Sequence, residues 1–372
     1  MRGFKHVRKL TTLVLAFMIV LTGCTESGSG GKASGKLADK VENLPAGIAE
    51  KDPVKLMVVR KIGGDDHTAQ FLAGAKQEGE ALGFKVDTFS ANGDSAKFHD
   101  AIAQAINSDY DGFIISHGDD PASVQDVKNI TDKGIPVVTF DSLPEIGDIA
   151  GVTQTSQDDE QLAKLALDKL VEEQGPDANI IYLWVDGFPP MVRRNTVYQE
   201  TLKNNPGIKE VERFGVASDQ TSLDTQNAVS AILTKYPKGE IDAIFATWDA
   251  FAIGAARALE EAGRTEIKIY GIDVSNADLE LIQKQDSPWV ATAAVDPKMI
   301  GAINVRLLAK KIAGEETPAV HNLEPVLIER SSLEGAAEAV NMVNLADIIP
   351  NWGISTEFEE DWMKALKEAG GK

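Results

Sequence analysis

From Val54 onward the chain alternates short apolar runs with amphipathic stretches. "VKLMVV" (54–59), "KVDTF" (85–89), "DGFIIS" (111–116) and "IPVVTF" (135–140) are rich in Val, Ile and Phe and bounded by polar turns, so they read as buried strands. Between them, 68–83, 96–108 and 122–134 repeat apolar residues at helical spacing, and Gly83 and Gly134 stand where helices should end. A strand–helix–strand rhythm of about 25–31 residues predicts right-handed βαβ units and a parallel sheet. The rhythm then restarts, with strands over 179–185, 209–215, 240–247 and 266–272 and helices over 190–204, 221–236 and 249–262. One chain therefore carries two doubly wound α/β sets of similar length, without a visible short repeat. A strand (289–295), a helix (297–314) and another strand (322–330) follow and need a sheet to join. The last amphipathic helix is predicted over 356–370, opened by Thr356 with acids in its first turns.

The N-terminus lies outside that rhythm. Arg2, Lys5, Arg8 and Lys9 form a basic segment ahead of the 13-residue apolar run "LTTLVLAFMIVLT". Such a run is shorter than the ~20 residues of a membrane span and fits the apolar region of a secretory signal. It ends in "LTGC", and Cys24 is the only cysteine of the 372 residues. This junction resembles a bacterial lipobox, which implies cleavage before Cys24 and lipid on its sulfur. "TESGSGGKASGK" (25–36) opens a small, polar tether expected to run to Asp52. As flexible coil it would hold a domain roughly 30 Å from the membrane. The formal charge is -20, and removing residues 1–23 with their four positive charges makes it -24. So acidic a protein repels phosphate backbones and anionic headgroups, which excludes nucleic acid as a partner and leaves anchoring to the lipid.

Catalytic signatures are missing. "RKIGGDDH" after the first strand is no G-x-G-x-x-G, and no P-loop, G-x-S-x-G elbow or H-E-x-x-H occurs. The five histidines lack metal-ligand spacing. The expectation is a protein that is not an enzyme and uses no metal or cofactor.

"LAGAKQEGEALGFKV", "IPVVTFD", "AIFATWDAFAIGAARALEEAG", "IKIYGID" and "VDPKMIGAINVRLLAKKIAG" occur in this order behind the lipobox. Together they resemble the periplasmic-binding-protein type 1 family of ABC-transporter solute receptors, in its ribose- and galactose-binding branch. The likeness covers about Val54 to Arg330. It implies two Rossmann-like lobes joined by a three-crossing hinge, with crossings near Thr153, Asp296 and Leu323. Lobe 1 would comprise 53–153 and 297–323, lobe 2 would comprise 154–296 and 324–349, and 350–372 would be a C-terminal helical extension. It also implies a monomer outside the cytoplasmic membrane, lipid-anchored at Cys24, that closes on a sugar or polyol and delivers it to a permease. The alternatives are a receptor for a furanosyl signal resembling autoinducer-2, or a sensor feeding a membrane kinase. A transcription factor of the same superfamily would open with a helix-turn-helix, and a signal and tether stand there instead.

Open α/β sheets bind ligands beyond the carboxyl ends of their strands. Arg60, His117 (beside Ser116) and Asp141 follow strands of the first set, and Asp186, Trp248-Asp249 and Asp273 follow strands of the second. Carboxylates accept from vicinal hydroxyls, arginine forks donate to them, and an aromatic face covers the apolar side of a sugar ring. By resemblance, Asp141 and Asp273 match ligand carboxylates, Arg193 a ligand arginine (with Arg194 as the alternative), and Arg60 the first strand's ligand residue. Asp66 and His67 fall near the family's stacking aromatics, although a loop histidine such as His67 or His117 is more often simply solvated. Asp249 is either a ligand contact or the N-cap of its helix, and the sugar platform is Trp248 or Trp184. Ser142, "GGDDH", Trp248 and Val295 depart from the family pattern, which puts ribose itself in question.

Overall fold

The computed structural model describes residue 37 and residues 41–218 and 220–370. Cys24 and the signal segment lie outside the described residues. The chain runs through Ala46–Ala49 (α1), Lys55–Arg60 (β1), Asp66–Ala81 (α2), Lys85–Ser90 (β2), Ser95–Ala105 (α3), Gly112–Ser116 (β3), Pro121–Thr131 (α4), Val137–Phe140 (β4), Pro144–Gly147 (α5) and Val152–Gln157 (β5). It continues through Asp159–Gln174 (α6), Asn179–Leu183 (β6), Pro189–Asn204 (α7), Lys209–Phe214 (β7), Thr221–Leu233 (α8), Ala243–Ala246 (β8), Asp249–Ala262 (α9), Lys268–Ile272 (β9), Asn276–Ile282 (α10) and Trp289–Ala294 (β10). Pro297–Ile312 (α11), Val320–Leu323 (β11), Val326–Glu329 (β12), Arg330–Leu333 (α12) and Asp361–Glu368 (α13) complete it.

Among the described residues these strands form two six-stranded sheets, ordered β11-β5-β4-β3-β1-β2 in lobe 1 and β12-β10-β9-β8-β6-β7 in lobe 2. All pairings are parallel except β10 with β12. Each sheet has an apolar cluster on both faces, which is why its strands read as near-continuous Val, Ile and Phe. On one face of lobe 1, α2 and α11 meet backbone to backbone. A Cβ on Gly74 would come within 2.0 Å of Lys298 O, and one on Gly301 within 2.2 Å of Phe71 O.

The hinge is built from three connections: Asp158 between β5 and α6, Val295–Asp296 between β10 and α11, and Glu324–Pro325 between β11 and β12. The first lies after Gln157 rather than near Thr153, because β5 is wholly a lobe 1 strand. Pro325 splits the single strand expected over 322–330 into two strands of different sheets. The tether is shorter than expected. Leu37 and Ile48 are buried, and Val41 and Leu44 pack against the lobe 1 core.

The C-terminal segment makes a further passage beside the hinge. Leu345, Ile349 and Trp352 are buried in the lobe 2 core, whereas Met363 and Leu366 of α13 are buried in the lobe 1 core. Between them, buried Arg306 of α11 donates from Nη1 to the carbonyls of Ser355 (2.7 Å) and Glu357 (3.3 Å). The last helix begins at Asp361, not at Thr356.

Candidate ligand-binding cleft

The carboxyl ends of both sheets face a single cavity of about 650 Å³, counting its mouth. Lobe 1 contributes Arg60 at the end of β1, His117 after β3 and Asp141 after β4, with Asp65 and His67 from the start of α2. Gln157 enters from the hinge, and lobe 2 brings Arg194 from α7, Trp248 after β8 and Asp273 after β9. His117, Asp141 and Asp273 all have left-handed backbones, with φ of 62°, 49° and 75°. Asp and His tolerate this region better than most residues, and it costs about 1–3 kcal/mol apiece. Their amides hold the turns by donating to Phe140 O, Thr155 O and Ala293 O. Each strand thus ends in a sharp turn that aims a polar side chain into the cavity.

Arg60 organises the lobe 1 wall. Its guanidinium donates to Thr68 Oγ1 (3.1 Å) and Ser116 Oγ (3.0 Å) and lies 3.3 Å from His67 Nδ1. Ser116 Oγ is in turn 2.9 Å from His117 Nδ1. A guanidinium only donates, so His67 Nδ1 accepts and its proton sits on Nε2. Burial, with the Arg60 charge nearby, lowers the pKa of both histidines, so the two rings are neutral. His67 Nε2 is buried without a protein partner.

The lobe 2 wall is organised by Asp159, the first residue of α6. One carboxylate oxygen accepts from Arg193 Nε (2.9 Å) and Nη2 (2.6 Å), and the other from Arg194 Nε (2.8 Å). Arg194 also donates to Thr247 O at 2.6 Å and reaches Asp273 Oδ2 at 3.5 Å. Gln157 Nε2 donates to Asp273 Oδ1 at 3.3 Å. Asp141 is served less well. Arg193 Nη2 lies 3.5 Å from its Oδ1, close enough for an ion pair, but that buried oxygen makes no hydrogen bond. Desolvation, with repulsion from Asp159, pushes the Asp141 pKa up to about 8 against the pull of the arginines.

The family model for the periplasmic binding protein domain matches residues 56–316. The chain belongs to the periplasmic binding protein family. Among proteins that bind rather than transform their substrates, it is similar to the ribose import binding protein of Salmonella typhimurium, at 26% identity over 87% of this chain and 99% of that one. A solved structure of a sugar ABC transporter protein from Yersinia enterocolitica is 51% identical, covers 89% of this chain and 99% of its own, and superposes with a TM-score of 0.84. The 5-methylthioribose transporter solute-binding protein of Thermotoga lettingae, solved with 5-methylthioribose, is 34% identical over 85% of this chain and 99% of that chain, with a TM-score of 0.79.

In this periplasmic binding protein, Arg60, His67, His117, Asp141, Trp248 and Asp273 line the cavity together. The other three expected contacts lie elsewhere. Asp66 turns away from the cavity, because its Oδ2 accepts from the backbone N–H (2.8 Å) and Nδ2 (3.0 Å) of Asn276 in lobe 2. Its neighbour Asp65 lines the cavity and caps α2 through Thr68 N. Arg193 lies behind the cavity wall on Asp159, and Arg194, one residue and about 100° further round the helix, lines it instead. Asp249 is buried beneath the site, accepting from Ala250 N at 2.7 Å, and the N-cap position falls to Trp248. Trp184 is not part of the cavity wall. It stacks on Tyr182 and donates to Met191 O at 2.8 Å, which fixes the start of α7. Cavity-lining Asp65 and Gln157 and the buried Asp159 behind the arginines were not predicted, since nothing local marks one acid or amide among many for such a place.

Proposed function

We propose that this protein captures a sugar or polyol between its lobes outside the cytoplasmic membrane and delivers it to the permease of an ABC transporter. The observation that carries this is the convergence of hydrogen-bonding groups from both lobes on one cavity, some without protein partners. Arg194 and Asp273 present donors and an acceptor from lobe 2, while His67 Nε2 and Asp141 Oδ1 await partners in lobe 1. Vicinal hydroxyls, which both donate and accept, match such a set. Trp248, standing edge-on to Phe251 with ring centroids 5.6 Å apart, offers a flat wall for a sugar ring. Ligand contacts made from both lobes favour the closed state, and no bond is made or broken. The names of the relatives at 51% and 34% identity support the sugar class.

A thermal-shift panel of pentoses, hexoses and polyols, followed by calorimetry, tests this. One sugar class should raise the melting temperature, and a panel with no shift would remove the proposal. Anchoring through lipid on Cys24 is a separate element of it. Among the described residues no helix is long and apolar enough to cross a membrane. Cys24→Ala should move the protein from the membrane fraction to the soluble one, and continued membrane association would refute the anchor.

A further inference from the structure

The lobe 2 wall of the cavity is polar at one end and apolar at the other. Following the lobe 2 sheet away from the hinge, the strand order is β9, β8, β6, β7. The cavity residues after these strands are Asp273, Trp248, Val185 and Ala217 in turn. The turn after β6 adds Phe188, Pro190 and Met191. In lobe 1 the matching order is β4, β3, β1, and its cavity residues pass from Asp141 through His117 and Arg60 to Ile62. On the lobe 2 side the polar groups therefore cluster beside Gln157 at the hinge and the far end is walled by aliphatic and aromatic side chains, while lobe 1 keeps Asp65 and His67 in the lining.

The apolar end also lacks the backbone donors that a helix N-terminus ordinarily offers. Helix α7 starts Pro189-Pro190, and proline has no N–H. Its N-cap position is Phe188, which makes no side-chain capping bond. The Thr247 hydroxyl behind this wall is committed to Leu183 O and Met191 Sδ. A hydroxyl pressed against this lobe 2 wall would lose water without finding a lobe 2 side-chain partner, which favours an apolar group there. Adjacent strands are about 4.8 Å apart, so the walls from β9 to β7 span roughly 14 Å. That length accommodates a sugar ring and a substituent beyond it.

We infer that the ligand is an amphipathic sugar, with a polyhydroxylated ring held at the hinge end and an apolar substituent, such as an S- or O-alkyl group, lying against Val185, Phe188, Pro190 and Met191. This rests on the sugar-binding function proposed above. The specificity-determining residues are then those of the β6–α7 turn rather than the carboxylates, which a bare sugar would engage equally.

Calorimetry with D-ribose, methyl D-ribofuranoside and a 5-deoxy-5-alkylthio-D-ribose series tests it, the two substituted probes carrying the alkyl group at opposite ends of the ring. At least one substituted probe should bind about tenfold tighter than ribose, the scale of burying one or two methyl groups. Val185→Thr and Ala217→Ser, both close to isosteric, should lower that ratio, with folding checked by the melting temperature of the unliganded variants. Ribose binding as tightly as every substituted probe, or a ratio unmoved by both variants, would overturn the inference while leaving sugar binding intact. If no probe and no other sugar bound, both proposals would fall.

Discussion

Asp141 and Asp273 occupy matching strand-end positions in the two lobes, yet they are held differently. Asp273 has Arg194 and Gln157 within reach, whereas Asp141 Oδ1 makes no hydrogen bond and burial pushes its pKa up to about 8. From about pH 4, where an ordinary aspartate ionises, up to about pH 8, the unliganded folded protein keeps a proton that the unfolded chain has lost. Its stability should therefore fall as pH rises through this window. A ligand hydroxyl donating to Asp141 favours the ionised form, so binding at pH 6 should release a proton and tighten toward pH 8. Calorimetry in buffers of different ionisation enthalpy reads the proton directly, and uptake or no exchange would contradict that contact. Asp141→Ala and Asp273→Ala should each weaken binding by about 2 kcal/mol or more, because buried ligand hydroxyls lose their partners. Parent-like affinity in both variants would remove the site assignment. Which carboxylate is the proton-bearing one was not legible in the sequence, since "VVTFD" and "YGID" look alike. At Asp141 the raised pKa comes first from burial and then from Asp159, which long-range packing of helix α6 brings close.

Among the secondary-structure elements, most strands and helices follow from periodicity, and the failures have physical reasons. "VTQTSQ" lacks the apolar run by which the other strands are recognised, yet it forms β5 beside the hinge. Its two threonines are buried with partners: Thr155 Oγ1 donates to Thr139 O and lies 2.7 Å from Asn304 Oδ1, and Thr153 Oγ1 reaches Pro318 O. With β5 unrecognised, α6 and its Asp159 also went unplaced. The bond between α2 and α10 was equally invisible, since Asp66 and Asn276 are 210 residues apart. It joins the two lobes outside the cavity, and Asn276 Oδ1 also accepts from Met342 N of the C-terminal segment. Asp66→Ala should thus speed ligand dissociation, weakening affinity by about 1–3 kcal/mol, without changing the ranking of sugars. Stopped-flow release measures this, and an altered ranking would place Asp66 on the ligand instead.

For the whole molecule, the C-terminal segment holds both lobes. Removing residues 353–372 would uncover the lobe 1 surface under Met363 and Leu366 and leave buried Arg306 without its two carbonyl acceptors. Truncation after Trp352 should lower the melting temperature in scanning calorimetry by several degrees, since a buried donor without a partner costs about 1–3 kcal/mol even before the lost apolar contact. An unchanged melting temperature would mean that the segment carries no stability. Trp352→Ala tests the lobe 2 attachment separately, with an expected loss of about 3–5 kcal/mol for a buried tryptophan.

The amino-acid order by itself determined the α/β class, the two lobes and the strand ends that face the cavity. Those properties are written in local periodicity, and a buried parallel strand followed by a polar residue looks the same wherever it occurs. Tertiary structure alone decided which of Arg193 and Arg194, or of Asp65 and Asp66, lines the cavity. Adjacent helical residues differ by about 100° in direction, so small rotations fixed by distant packing choose between them. Tertiary structure also decided that the lobe 2 wall is apolar at one end, because Val185, Phe188 and Ala217 become neighbours only when strand order is set by long-range pairing.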